Sequence, residues 1–293
     1  MSLLAVGLIV VAAFCHASWN LLAKRSSGEI AFVWLVQVVG ALLYGPFALG
    51  FMVNSPPDFT PSLFAAAGAS ALTHMAYFMS LQHGYRGGDL SLVYPVARGT
   101  GPALATVGAI LVYGERPGAL ALLGAVLVII GVLMISISSR RNRARHTEQQ
   151  RHARRYGLKW GLITGVLIAT YSMIDSFSVA QLSIFPLYYL WFSDVTRSIL
   201  LAPAALRRLD AVKYELRVHR FEVIGVGLLS PLSYLLVLIA MSFTPLSYVA
   251  PAREMSILIG TIMGARLLSE EGGRRRILAA ALIVGGVVAL ALG

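Results

Sequence analysis

Charge is scarce in this chain. Only 13% of its 293 residues are Asp, Glu, Lys or Arg, about half the share of an ordinary soluble domain. With 57% hydrophobic residues and a mean hydropathy of +0.75, it has too little polar surface to cover a water-soluble body. Cysteine is nearly absent: Cys15 stands alone, which excludes an intramolecular disulfide and a CxxC metal or redox site. The stretch "VAAFC" (11–15) has Phe14 where lipoprotein cleavage needs a small residue, so the first apolar run reads as an uncleaved span. No Walker, GxSxG or HExxH pattern occurs, so ATP drive, serine hydrolysis and zinc proteolysis find no support. No cofactor or metal is implied.

What the chain has instead is apolar runs of about 20 residues, each long enough to cross a hydrocarbon core of about 30 Å. They predict an all-α membrane protein with ten transmembrane helices, over 3–22, 30–52, 61–81, 90–112, 117–138, 157–178, 184–205, 221–241, 246–267 and 276–292. Turn-forming residues mark the breaks, as in "NSPPDFTP" (54–61), "RGGD" (86–89), "GERPG" (114–118) and "FTPLS" (243–247). Of the 24 Lys and Arg residues, 20 fall in or beside alternate gaps and only Arg116 lies on the other side. The positive-inside rule then places those gaps in the cytoplasm and both termini outside. The basic stretch 140–156 reads as a solvated cytoplasmic linker that also meets anionic lipid. It has no interleaved aromatic side chains, so a nucleic-acid partner is not expected.

Shifting the sequence by 155 residues lays Ala97-Arg98 on Ala252-Arg253, Glu115 on Glu270, Gly131-Val132 on Gly286-Val287 and Asn20 on Asp175. The halves, 1–139 and 157–293, would hold five helices each. Five is odd, so the second half would be inserted upside down, the plan of many secondary transporters. Arg98 and Arg253 would then lie about 10–12 Å in from opposite faces, at about 1.5 Å per residue.

Each half carries a Pro-containing helix, a Glu in a loop ("VYGERPG", "LSEEGG") and a Gly-rich closing helix ("LLGAVLVIIGVLMI", "ILAAALIVGGVVALAL"). In these features the chain resembles the EamA family of the drug/metabolite transporter superfamily over residues 3–292. The resemblance implies two inverted five-helix repeats and export of amino acids, drugs or other metabolites. The aromatic, polar lining described next looks most like the YddG-type exporters of aromatic amino acids. The second half departs from the first by carrying charges at Asp194, Arg197 and Glu254.

An ionisable residue inside a span usually faces the bundle interior or water. Three bases (Arg98, Arg197, Arg253) and three acids (Asp175, Asp194, Glu254) lie within the runs, a balance that favours internal pairing. Asp194 and Arg197, three apart, share a helical face. Arg253 and Glu254 are adjacent, point apart and need separate partners. Two readings stand for Arg98 and Arg253. They clamp a substrate carboxylate, or they bond backbone carbonyls freed by Pro95, Pro102 and Pro251.

Helical spacing also groups His74 with Tyr77, His16 with Trp19, Tyr171 with Asp175, Ser230 with Tyr234, and Tyr94 with Arg98. Taken together they suggest a lining for a zwitterion with an apolar or aromatic side chain. Pro95, Pro102, Pro231 and Pro251 are candidate flexing points. Asp194, Arg197 and Glu254 are candidates for gating or structural roles. His16, His74, Asp175 and Glu254 are candidate proton carriers. One enzyme reading competes. "EEGGRR" (270–275) and "HASWN" (16–20) satisfy two elements of the CAAX-type membrane proteases, but their FxxxH element is missing. The expectation is therefore a bacterial plasma-membrane exporter of small metabolites working by alternating access. Its partners are a small-molecule substrate and the bilayer, with its oligomeric state open.

Overall fold

The computed structural model describes residues 1–26, 29–57, 59–87, 90–137, 148–268 and 274–293, and every regular element among them is helical. The α-helices are α1 Leu3–Ala23, α2 Ile30–Asn54, α3 Pro61–Gly87, α4 Leu90–Val112, α5 Ala119–Ile137 and α6 Glu148–Ser176. After a π-helical turn at Phe177–Gln181 follow α7 Pro186–Leu206, α8 Leu209–Val218, α9 Arg220–Met241, α10 Leu246–Ala252, α11 Met255–Leu268 and α12 Arg274–Leu292. Residues 140–147 of the expected linker, Asp89 of "RGGD" and Glu270 lie outside the described residues.

Among the described residues, five helical stretches are long and apolar enough to cross a membrane: Leu3–Ala23, Ile30–Asn54, Leu92–Val112, His152–Gln181 and Arg220–Met241. Ala119–Met134 and Ile277–Leu292 are shorter apolar helices. The chain is a multi-pass, all-helical membrane protein.

Three local departures from the expected spans have physical causes. The run 246–267 is two helices, broken at Arg253–Glu254. The break is a tightened turn: Glu254 N–H donates to Pro251 O at 3.1 Å, Ser256 to Arg253 O at 3.2 Å and Ile257 to Glu254 O at 2.9 Å. These i→i−3 bonds leave no orphan amide at those positions. Residues 148–156, expected as linker, continue into α6 as helix. The gap after α7 holds α8, whose Val212 and Glu215 are buried, with Asp210 in its first turn and Arg217 in its last. Those charges complement the helix dipole.

The chain forms two compact units, each drawing helices from both halves of the sequence. The first comprises Met1–Gly7, Thr73–Met173 and Thr244–Gly293. Here α5 packs on α12, α4 on α5, and α10 on α4, α5 and α12. The α5–α12 crossing depends on paired glycines. A Cβ on Gly124 would sit 2.6 Å from Gly286 O, and one on Gly286 would sit 2.7 Å from Gly124 O. Small residues at a membrane helix crossing let backbones approach and gain dispersion contact. At one end of this unit the Met1 ammonium donates to Ala291 O at 2.9 Å.

The second unit comprises Leu8–Leu72 and Ile174–Phe243. In it α2 packs against α7, α8 and α9. Ala31, Phe32, Leu35 and Val36 meet Ala205, Val212, Val223 and Val226, with Trp19 and Leu22 of α1 against the same cluster. A second core joins Tyr44 and Ala48 to Leu187 and Tyr188.

Candidate functional site

The first unit gathers a charged and aromatic cluster around the α10–α11 break. Arg98, near the middle of α4, is buried, and its Nε lies 3.1 Å from Glu254 Oε2, with side-chain exposures of 7% and 1%. Neither reading of Arg98 from sequence included this partner. Arg98 Nε and both Glu254 oxygens have no hydrogen-bond partner among the described residues, so the two are held as an ion pair. Tyr94, one turn before Arg98, places its hydroxyl against the guanidinium. Within α4 the Thr100 and Thr106 hydroxyls donate back to Val96 O at 2.7 Å and Pro102 O at 2.9 Å.

Arg253 turns the other way, as adjacent residues must. Its Nη2 donates to the Tyr171 hydroxyl at 3.0 Å, and its Cζ lies 5.8 Å from the centre of that ring. Tyr171 in turn stacks on His74, with centroids 4.0 Å apart, and meets Tyr77 edge-on at 5.7 Å. His74 and Tyr77 come from α3, Tyr171 from α6 and Tyr94 from α4. Six of the expected residues, His74, Tyr77, Tyr94, Arg98, Tyr171 and Arg253, therefore come together in one unit, with Glu254 among them. Among the described residues of this cluster, Arg98 pairs with the Glu254 carboxylate and Arg253 with the Tyr171 hydroxyl.

The second unit buries its own acids. Asp175, fully buried, accepts from Tyr189 Oη at 2.6 Å and from the Tyr234 hydroxyl, and Ser70 faces the same carboxylate. Hydroxyls rather than a cation satisfy it. Asp194 accepts from Arg197 Nη2 on the same face of α7. His16 and Trp19 meet edge-on at 4.9 Å on α1. Asn20 Nδ2, of the protease-like "HASWN", donates to the His16 backbone carbonyl at 2.8 Å. Ser230 is half-buried, one turn before Tyr234. The serine of α9 that reaches another helix is Ser233, which donates to Ala12 O at 2.8 Å. Pro95, Pro102, Pro231 and Pro251 are all buried inside helices. At Pro231 the missing N–H opens a turn, and Tyr44 Oη donates to Leu228 O within it at 2.8 Å.

Sequence reasoning missed three participants. Tyr189 hides in "PLYYLWF", where ring spacing gives no hint that one hydroxyl points at an acid. Ser70 has no charged neighbour in sequence. Glu115 reads as an ordinary loop acid, yet its two oxygens accept the Leu246 and Ser247 amides at 2.8 Å each. It thereby caps α10, the half-helix that ends at Arg253. Gly114, at φ +68°, makes the turn that aims it.

Comparison with known proteins comes to bear on this geometry. A solved crystal structure, described only as that of a protein, superposes with a TM-score of 0.73 over 98% of this chain and 96% of that one, at 16% identity. At that identity the likeness speaks for the fold alone. No curated protein matches the chain. Residues 3–137 match the EamA-like transporter family. The match takes in α1 through α5, nearly half of the chain.

Proposed function

We propose that the whole chain is a secondary transporter of the drug/metabolite type. It exports small metabolites, amino acids foremost and aromatic ones among them, across the bacterial plasma membrane by alternating access. The observation that carries this reading is the cluster at the α10–α11 break. A span interrupted at a buried charge, lined by charge and rings, is the usual setting of a transporter's binding site. Arg98 pairs with Glu254, and Arg253, whose Nη2 donates to the Tyr171 hydroxyl beside the ring stack, is the group that would bond a substrate carboxylate. The His74–Tyr171–Tyr77 stack offers ring faces to an apolar or aromatic side chain. The same features support a YddG-type specificity.

In this reading the helices make ten spans in two inverted five-helix repeats, one over 1–139 and one over 157–293. Here α10 and α11 count as one span, and α8 lies along the surface. The termini face outward and the basic gaps face the cytoplasm. The prolines of α4, α9 and α10 are the flexing points, and the Asp194–Arg197 pair holds α7 in register.

Counterflow of radiolabelled phenylalanine, tryptophan, leucine and aspartate into preloaded proteoliposomes tests the reading, with and without a pH gradient. Exchange of the aromatic amino acids is expected, with a loss of about tenfold or more in Arg253→Ala protein of unchanged folded yield. If no amino acid exchanges, or Arg253→Ala exchanges at the wild-type rate, the proposal fails.

A further inference from the structure

The basic face of α8 is a place where the structure assigns an occupant: we infer that it is a docking surface for anionic phospholipid headgroups. Chain continuity fixes its depth. One residue, His219, separates α8 from α9, which is among the stretches apolar enough to cross a membrane. The helix therefore lies where an apolar span meets water.

Its inward side is committed to protein. Val212 packs with Phe32, Ala205 and Val223, and Glu215 is buried. Arg208, just before α8, reaches Glu29 at 3.8 Å, just before α2. The outward side carries Lys213 and Arg217, one turn apart and exposed, with Asp210 on the same ridge. Exposed apolar side chains flank that ridge, Leu209 and Leu216 on one edge and Tyr214 and Val218 on the other. This is the pattern of a helix lying in the interface, with apolar side chains reaching the acyl boundary and cations at headgroup level.

The surroundings add charge of the same sign. Arg207 and Arg220 are exposed beside the two ends of α8, and Arg220 sits 4.7 Å over the ring of the exposed Phe221. Lys24 and Arg25 are exposed at the end of α1, whose Leu22 and Trp19 pack on the cluster that holds Val212. Among the described residues, Lys213, Arg217, Arg207 and Arg220 form no ion pair. A surface so cationic, apolar-edged and held at the end of a span is complementary to phosphate headgroups above acyl chains, not to a zwitterionic surface.

The test uses the full-length protein in micelles carrying equal amounts of phosphatidylglycerol and phosphatidylcholine, with retained lipids counted by native mass spectrometry. The wild type is expected to retain phosphatidylglycerol preferentially. Each exposed basic residue near such a surface contributes a factor of about five, so Lys213→Gln/Arg217→Gln is expected to reduce that retention by about tenfold or more. Arg116→Gln, which removes an exposed cation from the loop before α5, is expected to change it by less than about twofold. The single variants Lys213→Gln and Arg217→Gln, each expected to lose about fivefold, serve if the double variant yields no folded protein. Equal retention of both lipids by the wild type would overturn the inference, as would a loss in Arg116→Gln equal to that of the single α8 variants. So would displacement of the lipid by water-soluble glycerophosphoglycerol at matched concentration, which would mark a site for a free anion.

Discussion

Replacing Glu254 by alanine removes the carboxylate that pairs with the buried Arg98 guanidinium. The Arg98–Glu254 pair is nearly closed to solvent, at 7% and 1% side-chain exposure, so little water is available to replace the lost partner. Deleting one partner of such a pair costs about 3–5 kcal/mol, because the other charge stays buried and uncompensated. A chain of this size loses about 2 °C of Tm or more per kcal/mol, so Glu254→Ala is expected to melt on the order of 6–10 °C below wild type. The matched apolar pair behaves differently, since exchanging both members of a buried ion pair is often neutral or stabilising. Arg98→Met/Glu254→Met is therefore expected within about 1 kcal/mol of wild type, although Arg98→Met alone is costly. The assay is thermal unfolding in one detergent, read by the monodisperse fraction on size exclusion. If the double variant is as unstable as the two single losses combined, the pair does not balance itself and the reasoning is wrong. Equal stability of Glu254→Ala and wild type would refute it too.

Three further outcomes can be checked by the same melts. Glu115→Ala removes a cap made of two charge-assisted hydrogen bonds and is expected to cost about 1–3 kcal/mol, with Glu115→Gln losing less because one acceptor remains. Gly286→Val places a branched side chain against the Gly124 carbonyl and is expected to cost at least about 2 kcal/mol, with the α5–α12 crossing measurably wider in a solved structure of the variant. Asp175→Asn sets an amide donor against hydroxyls that already donate. It is expected to cost about 1–3 kcal/mol and to exceed Tyr234→Phe, and the reverse order would show that the carboxylate is not the hub of that cluster.

Sequence carried the all-helical membrane class and the places of most helices, because an apolar run of span length has few alternatives in a bilayer. It carried the Asp194–Arg197 pair for a similar reason: i,i+3 neighbours on a helix meet whatever surrounds them. It could not show which distant side chains converge. That Glu254 would choose Arg98, or that Asp175 would be held by Tyr189, Tyr234 and Ser70, depends on the crossings of helices far apart in sequence. Helix α8 escaped notice because, at ten residues, it leaves no span-length apolar signal.

The contrast between α4 and its sequence counterpart shows what the charges themselves do to the backbone. Both contain a proline shortly before the aligned arginine, and α4 stays helical through Pro95, Arg98 and Pro102, so proline alone does not account for the break after Ala252. What differs is the next residue. Gly99 follows Arg98 and requires no partner, whereas Glu254 follows Arg253 and must be neutralised in the same dry layer. Neighbours on a straight helix point about 100° apart, and here they must reach Tyr171 on α6 and Arg98 on α4 respectively. A turn of i→i−3 bonds allows both while keeping the Glu254, Ser256 and Ile257 amides bonded. Glu115 then holds the start of the short half-helix from a different loop. The break is thus the backbone's solution to placing two opposite charges side by side where neither can be left to water.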